Sequence, residues 1–284
     1  MKKLVLVSLF AVSVLVAKAQ PYFDVANAKY YSSPGGKINS PGAPNYSLTY
    51  FTAGVNLPIR SADLKNVFIA SPYFERWGFS YSPASPLQTH YSSMALPLSY
   101  IHTYSAQFKI LYSFIPRVNY QDIGSGGITQ LGGAVLGTYQ AQPLLAYKLG
   151  LFYNKEFFGN FFVPLVGIDW RINPRNKLFG VLPGNLTYEH KVNPNFYYGL
   201  VFNSVTSSYR QTGNAYIRIN EYEPGFFADY YLYKNLVLNG EAGHTVSRKI
   251  RIGQSGGGAI NMGMQNNYYF KLSMAYRLRF DADK

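Results

Sequence analysis

The chain of 284 residues contains no cysteine, only two tryptophans and only 13 acidic residues. Beyond its first 16 positions it has no apolar run that approaches helix-spanning length. Each shortage excludes something. Without cysteine there is neither a disulfide framework nor a lipid-modified N-terminal thiol, so the fold must hold without covalent staples. Without stretches of about 20 apolar residues, a bundle of membrane-spanning helices is excluded. Charged residues make up only 14% of the chain, which is sparse for a surface facing bulk water.

What the chain does have is aromatic: 27 tyrosines and 20 phenylalanines, punctuated by 26 glycines and 16 prolines. Its first residues, MKKLVLVSLFAVSVLVAKAQ, place Lys2 and Lys3 before the apolar run Leu4 to Val16 and the small-residue frame Ala17-Lys18-Ala19. That is the layout of a cleaved secretory signal peptide over residues 1–19, leaving 20–284 as one mature domain. Removing Lys2, Lys3 and Lys18 leaves 23 basic residues against 13 acidic. The basic residues are scattered, with no tail or stripe, so with a secretory signal the expected counter-charge is lipid headgroups and lipopolysaccharide, not nucleic acid.

Period-two alternation recurs from end to end. The spacing predicts twelve strands, over residues 22–31, 46–58, 67–81, 94–104, 108–122, 143–154, 161–172, 178–190, 196–209, 217–232, 236–251 and 266–280. In the fifth, Phe108, Ile110, Tyr112, Phe114 and Val118 share one face while Lys109, Ser113, Arg117 and Asn119 share the other. The joints alternate between long and short, as they do when one end of a barrel carries loops and the other tight turns. The expected fold class is therefore all-β: a transmembrane, antiparallel, up-and-down β-barrel of about 12 strands with both termini periplasmic, in the outer membrane of a Gram-negative bacterium. An open edge cannot face hydrocarbon, so the first strand is predicted to pair with the last.

The closing stretch KLSMAYRLRF, residues 271–280, turns Leu272, Met274, Tyr276, Leu278 and Phe280 to one face and Lys271, Arg277 and Arg279 to the other. Its end, with Tyr276, Leu278 and Phe280, resembles the signal read by the outer-membrane assembly machinery, although Asp281 to Lys284 follow it. With these features and the segment FVPLVGIDWRINPRNKLFGVLPGNLTYEHKVNPNFYYGL (162–200), the chain resembles a family of outer-membrane β-barrel proteins without an assigned function. The resemblance rests on the Gly-Ile-Asp-Trp-Arg-Ile-Asn-Pro stretch and the Leu-Pro-Gly-Asn turn. It implies the fold and carries over no catalytic residue.

No motif supports an enzyme. Four histidines are present, and neither His90, near Ser92 and Ser93, nor His244 is accompanied by a nucleophile elbow. No cofactor is expected, and no His, Asp and Glu cluster has metal-ligand spacing. Parity instead assigns charges to the lumen: Arg76, Lys109, Arg117, Lys148, Arg171, Lys271, Arg277 and Arg279, opposed by Asp169, Glu189, Glu223, Asp229 and Glu241. Either these pair with each other and with tyrosines to fill the interior, or they line a narrow wet passage. Arg248, Lys249 and Arg251 sit high on their strand, where they suit lipopolysaccharide phosphates. The leading expectation is a narrow pore or transport and binding barrel for a small polar solute. The alternatives are a structural or assembly partner of another envelope protein and, at low weight, an outer-leaflet lipid hydrolase.

Overall fold

The computed structural model describes residues 21–280 apart from 40, 41, 44, 64, 83, 84, 122–126, 212, 213, 255 and 256. The expected signal peptide at 1–19 and the tail Asp281 to Lys284 lie outside the described residues.

Alternating sequence produces strands throughout, and they join into one antiparallel sheet that closes on itself. In chain order the segments are β1 (Tyr22–Gly36), β2 (Asn45–Val55), β3 (Leu57–Arg60), β4 (Asn66–Ala70), β5 (Tyr73–Ser82), β6 (Ser85–Ala95) and β7 (Leu98–Thr103). They continue as β8 (Phe108–Tyr120), β9 (Ile128–Gln142), β10 (Leu145–Glu156), β11 (Gly159–Arg171), β12 (Asn176–Leu182) and β13 (Asn185–Asn193). The last are β14 (Phe196–Arg210), β15 (Ala215–Tyr233), β16 (Leu236–His244), β17 (Val246–Gln254), β18 (Ala259–Asn261) and β19 (Tyr268–Arg279). Five staves are broken into two segments each, β2/β3, β4/β5, β6/β7, β16/β17 and β18/β19, so the wall has 14 staves. Closure comes from β1 on β19, in register from Tyr22 opposite Arg279 to Ser32 opposite Phe270.

The expected twelve strands are thus corrected to 14. One addition is β9, whose Gly132-Gly133 pair and Thr129, Gln130 and Thr138 read as loop chemistry although the segment pairs with both β8 and β10. The other arises because 178–190 is two strands, β12 and β13, folded back at Pro183-Gly184. Adding two leaves the parity intact, so both chain ends still reach the same end of the barrel, here called the terminal end. The intervening joints change ends: Phe157-Phe158 turns at the far end, and 172–175 at the terminal end.

Outward residues form an exposed apolar belt around the ring, among them Phe114, Leu149, Phe162, Val166, Phe226 and Leu272. A contiguous apolar surface of this extent is incompatible with water and matches a bilayer core. Exposed Tyr100, Tyr139, Tyr147, Trp170, Tyr198, Tyr230 and Tyr276 edge it at the terminal end, as interfacial aromatics do.

Prolines bend one side of the wall. The staves break at Asn56, at Ser71-Pro72 and at Leu96-Pro97, next to Pro116 of β8 and a bulge at Val25. Proline has no N–H to give the ladder, and its neighbours bridge instead, Val55 N to Pro72 O at 3.1 Å and Leu96 N to Pro116 O at 3.0 Å. The bend leaves an apolar groove of about 1080 Å³ on the outer surface, lined by Ala28, Ala53, Val55, Phe74, Met94 and Met274.

The short β12–β13 hairpin has the larger consequence. Its tip meets β11 only up to Val166 and β14 only from Asn203, so the far part of β14, residues 205–210, has no wall neighbour on that side. It leans across the lumen with the paired far part of β15. Ser207 is thereby brought within 2.8 Å of Arg117 of β8, six staves away around the ring. Tyr209, Ile217, Ile219 and Ile250 pack against Tyr31, Tyr46, Leu48, Trp77, Phe79 and Tyr91, forming an apolar core where the lumen would otherwise be. We call this segment the flap.

At the base of the flap the chain needs glycine. A Cβ on Gly225 would lie 2.3 Å from the Tyr269 hydroxyl oxygen and 2.9 Å from the Ala242 carbonyl oxygen. Gly225→Val is expected to lower the unfolding free energy by about 1–3 kcal/mol, read from the denaturant midpoint of the folded, heat-modifiable band. Gly240→Val, whose Cβ would meet nothing within 4 Å, is expected to leave that midpoint in place.

Candidate functional site

The lumen is where the charged side chains converge, and it is built in layers. Nearest the terminal end, Arg279 pairs with Glu189 and lies over the Tyr197 ring at 3.7 Å. One layer further in, Arg277 serves two carboxylates, Asp24 and Asp229, each at 2.6 Å, with Tyr22 stacked under its guanidinium. Lys271 likewise serves Glu223 and Glu241, each at 2.7 Å. Above it Arg248 donates to Glu221 at 2.6 Å and to the hydroxyls of Tyr31 and Tyr46 at 2.6 and 2.9 Å. On the opposite wall Lys148 pairs with Asp169 at 2.8 Å.

The far layer pins the flap. Arg117 donates to Glu75 at 2.6 Å, to Ser93 at 3.0 Å and to Ser207 of the flap at 2.8 Å. Tyr209 of the flap donates its hydroxyl proton to Glu75 at 2.7 Å. On the flap's other face the free edge of β14 finds a side chain instead of a strand: the Ser208 N–H donates to Glu156 at 3.1 Å, and the Phe157 N–H donates to the Ser208 hydroxyl at 3.0 Å. An unpaired N–H at this depth must find an acceptor, and Glu156 supplies it.

Between the Arg277 and Lys271 layers the interior leaves a polar cavity of about 210 Å³. Asn27, Lys29, Thr187, Asn203, Asn239 and Ser273 are among its lining residues. Such a volume holds several waters or one small solute. Its walls carry three carboxylates, Asp24, Asp229 and Glu241, against the cations Arg277 and Lys29.

The structure sorts the sequence-predicted lumen residues as follows. Arg117, Lys148, Asp169, Glu189, Asp229, Glu241, Lys271, Arg277 and Arg279 lie inside in the pairs just described. Lys109 stands on the inward parity of β8 opposite the buried Thr138, and Arg171 takes the inward parity of β11 at the terminal rim. Arg76 is a correction: it lies on the outer face of β5, opposite the exposed Phe51, while Glu75 and Trp77 point in. Arg248 is the second correction, because its side chain has no exposed surface and is buried on Glu221, so it is not a surface contact. Lys249 is exposed and Arg251 partly exposed on the opposite face of β17.

The causes differ: Arg248 points inward to Glu221 at a height where the sequence put it beyond the wall, whereas Arg76 is turned out by the apolar interior. At the far end the flap makes the lumen apolar, so the aromatic face of β5, with Tyr73, Trp77 and Phe79, is the inner one. Sequence reasoning also missed Lys29, Glu75, Glu156 and Glu221. The signal that could have found Glu75 is the placement of an acid between aromatics in Tyr73-Phe74-Glu75-Arg76-Trp77; Lys29 is a base and carries no such signal.

Tyr276 is exposed in the outer belt, Leu278 pairs opposite Phe23, and the Phe280 N–H donates to the Pro21 carbonyl at 2.9 Å. His244 is exposed and meets the Tyr268 ring edge-on at 5.0 Å, and His90 faces Gly78 across the ladder. No serine hydroxyl is hydrogen-bonded to either ring among the described contacts.

No family model and no curated protein matches the chain. Among solved structures, an outer membrane channel from Pseudomonas putida F1 is similar at 9% identity, covering 93% of this chain and 97% of that one, with a TM-score of 0.49. The toluene transporter TbuX of Ralstonia pickettii is similar at 9% identity, 93% and 92% coverage and a TM-score of 0.40. The toluene transporter TodX of Pseudomonas putida gives 9%, 89%, 88% and 0.37.

The buried Arg248–Glu221 pair gives a stability test. Arg248→Met alone strands a carboxylate in the core and is expected to cost about 3–5 kcal/mol, whereas Arg248→Met with Glu221→Gln is expected to recover most of that loss. Urea midpoints of the two variants check it, and equal losses would show that the pair does not hold this layer.

Proposed function

We propose that the protein is a solute channel of the Gram-negative outer membrane that rests closed. The flap is its gate, and the polar cavity is the halting point of a small polar solute. The observation carrying this reading is the free edge of β14. At that edge the flap is held by exchangeable side-chain contacts, from Arg117, Glu75 and Glu156, while its other edge stays in the ladder through β15 to β17. A wall of 14 staves approaches the size at which barrels enclose water, so displacing the flap uncovers a passage that is otherwise filled.

The solute class follows from the cavity's charge. Three carboxylates against two cations oppose an anion, so the lumenal arginines and lysines do not set anion selectivity in this reading. A neutral or zwitterionic solute that exchanges hydrogen bonds with the Asn27, Asn203 and Asn239 amides fits better. Residues 1–19 act as the secretory signal, and the segment with Tyr276, Leu278 and Phe280 is offered to the assembly machinery. Both termini then sit in the periplasm, and Lys249 and Arg251 face lipopolysaccharide phosphates. The sealed interior also fits the second reading, a barrel that only docks another envelope protein.

Planar-bilayer recording separates the two. Wild-type protein is expected to be mostly silent, with rare brief openings. Tyr209→Ala, or the pair Glu75→Gln and Arg117→Met, is expected to give frequent ohmic steps. Silence of both variants, folded by heat-modifiability, would sink the gate and leave the docking role.

A further inference from the structure

The same polar cluster is built twice at the terminal end, on nearly opposite sides of the ring and on the outer face. In the first, Asn66 opens β4 and stands opposite His102 of β7. The Tyr100 hydroxyl donates to the Asn66 Oδ1 at 2.7 Å, and the His102 Nδ1 lies 2.6 Å from the same oxygen. In the second, Asn176 opens β12 opposite His190 of β13. The Tyr188 hydroxyl donates to the Asn176 Oδ1 at 2.8 Å, with the His190 Nδ1 at 2.7 Å.

The repetition extends to the backbone. The residue before each asparagine is an exposed cation, Lys65 or Arg175. Its carbonyl accepts the N–H of the residue after each histidine, Thr103 to Lys65 at 2.9 Å and Lys191 to Arg175 at 2.8 Å. Each asparagine N–H is in turn capped by a side chain of its turn, Ser61 Oγ at 3.0 Å or Asn173 Oδ1 at 2.9 Å. Flat aromatics flank each imidazole, Tyr104 at 4.4 Å and Tyr198 at 5.1 Å.

The second cluster fixes the chemistry of its histidine. The Asn176 amide nitrogen donates to Asn173 Oδ1 at 3.0 Å, so Asn176 Oδ1 is the atom facing His190, and the His190 Nδ1 must carry the proton. Nε2 is left over, as an acceptor in the neutral ring and a donor in the imidazolium. An oriented imidazole beside an exposed cation, set among tyrosines at the edge of the apolar belt, is a site for an anion held at that depth.

We propose that each cluster binds the headgroup phosphate of one phospholipid in the leaflet at the terminal end, by imidazolium and Lys65 or Arg175 contacts. The inference rests on the membrane placement of the barrel and not on its conduction. The clusters differ in one respect. In the first turn the Ser61 hydroxyl and the Lys65 N–H hold the Asp63 carboxyl below the usual range, leaving an anion beside Lys65. The 172–175 turn carries no acid, so the Arg175–His190 site binds more tightly.

The test is native mass spectrometry of detergent-purified protein titrated with dioleoylphosphatidylglycerol. Wild type is expected to retain two lipids with distinct affinities. Arg175→Gln with His190→Gln is expected to raise the half-saturating concentration of the tighter one about tenfold or more, the loss of charge-assisted hydrogen bonds. Lys65→Gln with His102→Gln is expected to remove the weaker one. Arg175→Gln alone changes only an exposed turn residue and is expected to weaken the tighter site without touching the fold. Unchanged titrations in the fourfold variant, with the heat-modifiable band intact, would overturn the proposal. Displacement of the lipids by inorganic phosphate at equal concentration would overturn the assignment to lipid.

Discussion

The constraint on which the rest depends is that a strand in hydrocarbon must hand every backbone N–H and C=O to a neighbour. The chain meets it by laying β1 along β19, so the two ends of the described structure become adjacent staves. From that closure the alternation acquires meaning. Each second residue meets lipid and each other one meets the interior, and a slip of one position would reverse every assignment. Both termini at one end, an even stave count and the aromatic edge of the belt are consequences of the same ring.

The constraint also explains the interior. A hairpin as short as β12–β13 cannot supply partners for the whole height of its neighbours, so the far edge of β14 must find acceptors elsewhere or stay in the lipid unpaired. Leaning inward resolves this, because Glu156 and Ser208 can then satisfy the edge. It brings Tyr209, Ile217 and Ile219 into the lumen, and the apolar core there follows. One truncated hairpin thus converts a ring wide enough for water into a filled one. Burying Arg117, Arg248 and Arg277 in that interior is tolerable only because each meets a carboxylate and further donors or acceptors.

Much of the wall was legible in the sequence, because strand alternation and joint lengths are local. Ten of the staves were located within a few residues, and the pairing of the first strand with the last followed from parity alone. The stretch 128–142 was not legible as a strand because apolar and small residues occupy both of its faces; Leu131 and Val135 face out and Gly132, Ala134 and Leu136 face in. The Leu-Pro-Gly-Asn turn was visible, but the alternation of Leu178, Leu182, Leu186 and Tyr188 runs unbroken across it, so 178–190 read as one strand. In the site, Asp169, Glu189 and Arg277 were legible because they alternate with apolar neighbours. Arg76 was misplaced because the rule that polar faces inward holds only while the interior is polar; Arg248 obeys that rule and was misplaced in height, since it lies inside the wall on Glu221 and not beyond it. The flap that breaks the rule is a long-range event, set by residues 176–193 and expressed at 73–79 and 246–252.

Charge is segregated by the same architecture. Of the acidic residues in the described chain, only Asp63 lies outside the barrel; the others, from Asp24 to Glu241, point into it and take arginine or lysine partners or side-chain amide and hydroxyl donors. The excess of 23 basic over 13 acidic residues left without the expected signal peptide is therefore not held in the lumen, where acids are paired with bases. It is displaced to the rims and the outer face, at Arg60, Lys65, Arg175 and Lys234 at one end and Lys249 and Arg251 at the other. A basic composition in a barrel of this kind thus describes its rims and outer face rather than its interior, because a cation that is buried must be neutralised there by an acid.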